Sequence, residues 1–191
     1  MPEKIIVDNC SPTLAGIKTG NLFSISRDEI TDLYEELRQL NSILTEKGLR
    51  AVPAKVTSKN VLIYLYRPDR LTHDLKNQEA REILAKKGYC CRNTEEYVVS
   101  LIEHMKKEET FPHEIGLFLG YPPVDVKGFM ENTRKGVKCV GYWKVYGDKE
   151  KAQKTFDKYK KCTDIYKKIF ADGKPMAQMI VGTNGINTTA S

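Results

Sequence analysis

Two apolar runs, AVPAKV (51–56) and NVLIYLYR (60–67), are separated by only Thr57, Ser58 and Lys59. A parallel pair needs a crossover of a dozen or more residues, so these two strands can pair only as neighbours in an antiparallel sheet. That excludes a chain built solely from repeated βαβ units. NVLIYLYR has β-branched and aromatic residues and no breaker, which predicts a central strand. Pro53 cannot donate to a ladder, which predicts that AVPAKV lies at an edge. NLFSIS (21–26) is the expected third strand. VKCVGYWKVYG (137–147), aromatic and alternating, is expected as a strand near the Asn60 strand.

Helical signals surround these strands. Ser26 and Glu29 form a capping-box pattern before Ile30, Leu33, Tyr34, Leu37, Leu40 and Leu44, with Lys47-Gly48 as the stop. Residues 68–88 predict one broken helix or two short ones, ending at Lys87-Gly88. Thr94-Glu95-Glu96 opens another, and a last helix runs from about Asp148 to Phe170. The order predicts an α+β fold: a small, mostly antiparallel sheet of about four strands packed by five to seven helices. A single domain is expected over 1–181, with a polar, disordered tail at 182–191. The composition, 40% hydrophobic and 29% charged over 191 residues, is that of a globular chain large enough to bury a core without a disulfide or a metal.

MPEKIIVDNC lacks the apolar core of a secretory signal, and no apolar run is long enough to span a bilayer. The expected location is cytoplasmic, with no membrane partner. The five cysteines, Cys10, Cys90, Cys91, Cys139 and Cys162, lack C-x-x-C spacing, so neither a disulfide framework nor a zinc site is expected.

The run FPHEIGLFLGYPPVDVKGFMEN (111–132) predicts two short helices meeting at a Pro122-Pro123 corner. Its spacing could pass for a helix-turn-helix. The second helix would then present Val124, Asp125, Lys127, Gly128 and Glu131 outward, and two acids with a glycine read base edges poorly. Sequence-specific DNA binding is therefore not expected. His113-Glu114 fails the H-E-x-x-H pattern, because Leu117 stands where the second histidine is needed. His73 and His104 are read as surface residues. CSPTLAGIKTGNLF (10–23) reads as a small-residue loop whose backbone N–H groups and Lys18 could hold a phosphate or carboxylate. It is not a Walker loop, because Ile17 precedes the lysine.

SPTLAGIKTGNLFSI, LIYLYR, HEIGLFLGYPPVDVKGF and CVGYWKVYGD with the following A…F…YKKCTDIY resemble a domain-of-unknown-function family of uncharacterised bacterial proteins, common in anaerobic Gram-positive bacteria. The resemblance covers Cys10 to Tyr166. It implies an iron- or redox-linked accessory role and transfers no catalytic residue or cofactor.

Three functions compete. The first is a small-ligand-binding protein or small enzyme, with Lys18, His113, Glu114 and Cys139 gathered on a small anionic ligand between the N-terminal loop and the 111–132 corner. The second is a basic binding module for nucleic acid or an acidic partner. Between Asp148 and Lys174, nine lysines face five acids, leaving +4 of the chain's net +6 in one segment, and Lys151, Lys154, Lys158 and Lys161 share one helix face. The third is the iron- or redox-linked accessory protein, through Cys139 or Cys162. No metal site is expected, and the sequence specifies neither cofactor nor oligomeric state.

Overall fold

A computed structural model describes residues 1–107, 111–131 and 135–182. The chain forms two compact units. One is Met1–Asp69 with the stretch that begins at Tyr159; the other is Arg70–Lys158.

In the first unit, β1 (Gly20–Ser26), β2 (Arg50–Val56) and β3 (Asn60–Tyr66) form an antiparallel sheet in the order β1-β3-β2. NVLIYLYR is the central strand, as its composition predicts. Pro53 sits on the edge strand, beside a register shift between Pro53 and Lys55. Val61, Ile63 and Leu65 face a core with Phe23 and Ile25 of β1 and with Leu37, Leu40 and Leu44 of α2 (Leu33–Glu46).

The sequence places the start of α2 too early. The Ser26–Glu29 capping box forms, but it closes only a 3-10 turn over Arg27–Glu29. Ile30 is extended, and α2 begins after Asp32, whose carboxylate accepts from Tyr34 N at 3.0 Å and Glu35 N at 3.1 Å. Asp32 satisfies two of the new helix's orphan donors, which is why it takes the cap. The helix ends as predicted. Gly48 adopts φ +77, its N–H bonds Thr45 O, and Leu49 N–H bonds Leu44 O, a Schellman closure that carries Leu49 into the core.

The expected N-terminal loop begins as a helix. α1 (Glu3–Leu14) runs through Cys10, Ser11 and Thr13, with Pro12 inside it. Ile6, Cys10 and Leu14 recur every four residues and are fully buried, so burial of one face outweighs the missing proline N–H. The end of α1 is closed from across the unit. The buried Arg67 donates from Nε to Thr13 O at 2.7 Å and from Nη2 to Leu14 O at 2.8 Å and Val181 O at 2.7 Å. A guanidinium on terminal carbonyls also complements the helix dipole.

The second unit holds the end of α3 (Pro68–Asp74), α4 (Gln78–Lys86), α5 (Thr94–Lys107), α6 (Ile115–Phe118), α7 (Pro123–Glu131) and a hairpin of β4 (Cys139–Val140) and β5 (Lys144–Val145). The two helices of 68–88 and the Thr94 helix lie where the sequence puts them. Residues 137–147 do not form one strand. They turn back at Gly141–Trp143 and pair with themselves, with Cys139 opposite Val145. At Gly141 a Cβ would lie 2.3 Å from the Phe156 ring, so only glycine lets the turn come this close. α8 (Lys149–Ala171) begins in this unit and ends in the first, followed by α9 (Met176–Met179). The fold class is thus α+β, with three strands in one antiparallel sheet and two in a hairpin. Apart from Gly182, the expected tail lies outside the described residues.

Candidate functional site

The 111–131 corner is packed scaffold on one side and cavity wall on the other. Ile115, Leu117, Phe118 and Val126 are buried. At Gly116 a Cβ would lie 2.8 Å from Val126 Cγ2, so the glycine lets α7 close on α6. Gly120, at φ +78, ends α6 with the same closure as α2: Gly120 N–H bonds Leu117 O, and Tyr121 N–H bonds Gly116 O. The closure fixes the direction in which Tyr121 leaves the helix.

Asp125 is not an outward residue of α7. It is 3% exposed. Its Oδ2 accepts from Trp143 Nε1 at 2.7 Å, and its Oδ1 accepts from Tyr146 N at 2.8 Å and Gly147 N at 2.7 Å. One carboxylate thereby ties the hairpin to α7. The reason is donor supply: a hairpin of two-residue strands leaves backbone N–H groups that its own ladder cannot satisfy.

The latch sets the aromatic geometry. Tyr121 stacks on Trp143, with centroids 4.7 Å apart and planes at 29°. Phe156 meets Trp143 edge-on at 4.6 Å. Between corner and hairpin lies a cavity of about 340 Å³, whose rings come from Phe111, Tyr121, Phe129, Tyr142 and Trp143. Two basic side chains also line it, His113 and Lys144. Both address one ring: the His113 imidazole meets Phe129 edge-on at 4.7 Å, and Lys144 Nζ lies 5.1 Å from the Phe129 centroid. A second, more polar cleft of about 310 Å³ has His73, Asp74, Asn77 and Lys151 among its lining residues and shares Tyr121 as a wall.

Of the four side chains that the sequence offers as a site, three belong to this unit. His113 lines the cavity. Glu114, 1% exposed, accepts from the Tyr89 hydroxyl at 3.1 Å. Tyr89 is delivered there by the closure of α4 at Gly88. Cys139 packs against Val145, Ala152 and Phe156. Lys18 belongs to the first unit, in the turn from α1 to β1, and is 3% exposed. Burial holds its ammonium down to about 8, and burial pushes the nearby Cys10 thiol up to about 12. Lys151, Lys154, Lys158 and Lys161 are all exposed on α8.

Among the described residues, no three histidine, cysteine or acidic side chains converge to hold a metal, and no helix is long and apolar enough to cross a membrane. The sequence matches, over residues 6–180, the family described as "Protein of unknown function (DUF3793)". The chain belongs to that family. No curated protein and no solved structure matches it. Family membership therefore assigns no reaction, and the cavity carries the functional argument. Sequence reading passes over its main residues, Asp125, Tyr121, Trp143 and Lys144. The available signals were the Gly120-Tyr121 closure and the lone tryptophan in an aromatic run beside a lysine.

Proposed function

We propose that the protein binds a small ligand with a flat apolar body and an anionic group, seated between the 111–131 corner and the hairpin. One observation carries this reading: an aromatic-walled cavity of about 340 Å³ with His113 and Lys144 flanking a single ring. The volume lies in the range of small-molecule sites, and a mostly apolar wall with a few placed polar groups is their usual design. Stacking on Tyr121 and Trp143 would hold the body. The Lys144 ammonium and the His113 ring N–H would take the anion. The oxygens of Asp125, which also lines the cavity, are turned to the hairpin donors, so the charge match falls to Lys144 and His113. Glu114, behind His113 in sequence, supports α6 through Tyr89.

Trp143 is the protein's one tryptophan, so its emission reports on this wall. Titration with 1-naphthoate should change the emission saturably, and 1-naphthalenemethanol should bind more weakly. Lys144→Gln should remove that difference. Emission that responds to neither compound, or equally to both, contradicts the proposal.

A further inference from the structure

The second cleft, of about 310 Å³, lies wholly within the second unit, and Tyr121 alone lines both it and the aromatic cavity. Part of its wall is apolar and offers no donor. Pro122 and Pro123 have no N–H, and Leu75 and Leu117 are buried side chains. The polar part comes from three separate stretches: His73 in the last turn of α3, Asn77 just before α4, and Lys151 in the first turn of α8. Each brings a donor that the fold does not use. Asn77 Oδ1 caps α4 by accepting from Ala80 N at 3.1 Å, which orients the amide and leaves Nδ2 with no partner among the described residues. Lys151 is anchored through its backbone, whose N–H bonds Asp148 Oδ1 at 3.0 Å, while its ammonium makes no ion pair among the described residues. His73 Nδ1 lies 3.6 Å from Asp74 Oδ1, so the one acid lining the cleft stands beside the imidazole and Nε2 points away from it.

Three unused donors on one cleft select a ligand rich in acceptors. A phosphoryl group carries three strong acceptor oxygens, one for each donor, and a charge that an ammonium binds well. The positive end of the α4 dipole, which begins at Asn77, adds to the preference for an anion. The cleft has the volume of a small-molecule site, and the apolar part of its wall suits a carbon body. We propose that this cleft binds a small phosphate monoester. Its phosphoryl oxygens take the Lys151 ammonium, the Asn77 amide and the His73 ring N–H. Its carbon body lies along Leu75, Leu117 and the two prolines. The site is additional to the aromatic cavity and does not depend on what that cavity holds.

The Asn77 side-chain NH2 reports on the cleft directly in ¹H–¹⁵N correlation spectra of the full chain. n-Butyl phosphate, which has no ring to stack in the aromatic cavity, should shift this resonance and the Gly120 amide saturably. n-Butanol should shift neither, and inorganic phosphate should bind more weakly. Lys151→Gln and His73→Asn should each weaken n-butyl phosphate roughly tenfold, the size of one charged hydrogen bond. Both residues are exposed, so unfolding should not change. Lys144→Gln, which alters only the aromatic cavity, should leave n-butyl phosphate binding as it is, and saturating 1-naphthoate should not displace the ester. An Asn77 side chain that does not respond, or that responds equally to n-butanol, overturns the site. So does binding that Lys144→Gln weakens and Lys151→Gln spares. Inorganic phosphate binding as tightly as the ester overturns the role of the apolar wall.

Discussion

Asp125→Asn isolates the latch that holds the hairpin on α7. The amide can keep an oxygen toward Tyr146 N and Gly147 N, now uncharged. Its NH2 then faces the Trp143 indole N–H, donor against donor. Hydrogen bonds to a charged group contribute about 1.5–3 kcal/mol each, and a buried donor left unsatisfied costs about 1–3 kcal/mol. The site is 3% exposed, so water does not readily repair it. The expected loss is about 3–5 kcal/mol, comparable to removing one partner of a buried charged contact. Asp125→Ala, which leaves all three donors unmatched, should cost at least as much. Urea unfolding followed by Trp143 emission reads this unit, and far-ultraviolet circular dichroism follows the whole chain. If Asp125→Asn shifts the emission transition by less than about 0.5 kcal/mol, the size of an ordinary surface change, the latch reading is refuted.

Asp32→Ala should cost about 0.5–2 kcal/mol as the true cap of α2, and Ser26→Ala clearly less, since its bond to Asp28 N is 3.4 Å long; urea midpoints of the pair check the order. The ammonium of Lys18 is lowered from 10.5 to about 8 by burial. The native Lys18 sheds its proton from about pH 8 while the unfolded chain holds it to 10.5, so it adds stability as pH rises over that window. Cys10 has the opposite sign: its thiol moves from 9.0 to about 12, so its contribution is lost between those values. Lys18→Arg, which keeps its charge throughout, should lose the rise between about pH 8 and 10 that the wild type shows against Cys10→Ala in urea unfolding, and an unchanged pH dependence refutes the burial of the charge. Gly116→Ala should cost about 1–3 kcal/mol by overpacking against Val126, read as a lower melting temperature. Replacing Lys151, Lys154, Lys158 and Lys161 with glutamine should leave unfolding unchanged, because all four are exposed.

What could be read from the sequence was local. Gly48, Gly88 and Gly120 each stand where a helix must stop, and each does take a positive φ there. The short TSK link forces the antiparallel pairing of β2 and β3, and Pro53 marks the edge. Misreadings arose where two local signals compete. Pro12 hides the Ile6-Cys10-Leu14 face of α1, and the Ser26 box, though formed, yields to Asp32 six residues on. The cavity was out of reach for a different reason. Asp125 finds its donors 18 to 22 residues away, and a helix pattern cannot say that a carboxylate is needed by a distant hairpin. The Tyr121–Trp143 stack is likewise a product of tertiary closure at Gly120 and Gly141, each of which by itself reads only as a turn. His113 stands out in the sequence as a polar residue in an apolar run, and the structure places it on the cavity wall, but that clue carries none of its neighbours.

Entry of a small anionic ligand into the cavity beside Trp143 can be observed on the protein itself. The single indole N–H resonance and the backbone amides of the chain, followed by ¹H–¹⁵N correlation spectra during addition of 1-naphthoate, test it most directly. Saturable shifts of the Trp143 indole and of amides within 111–147, Tyr146 and Gly147 included, are expected, and Lys144→Gln should weaken them. Shifts confined to residues of the first unit, or an indole resonance that does not move, would contradict it.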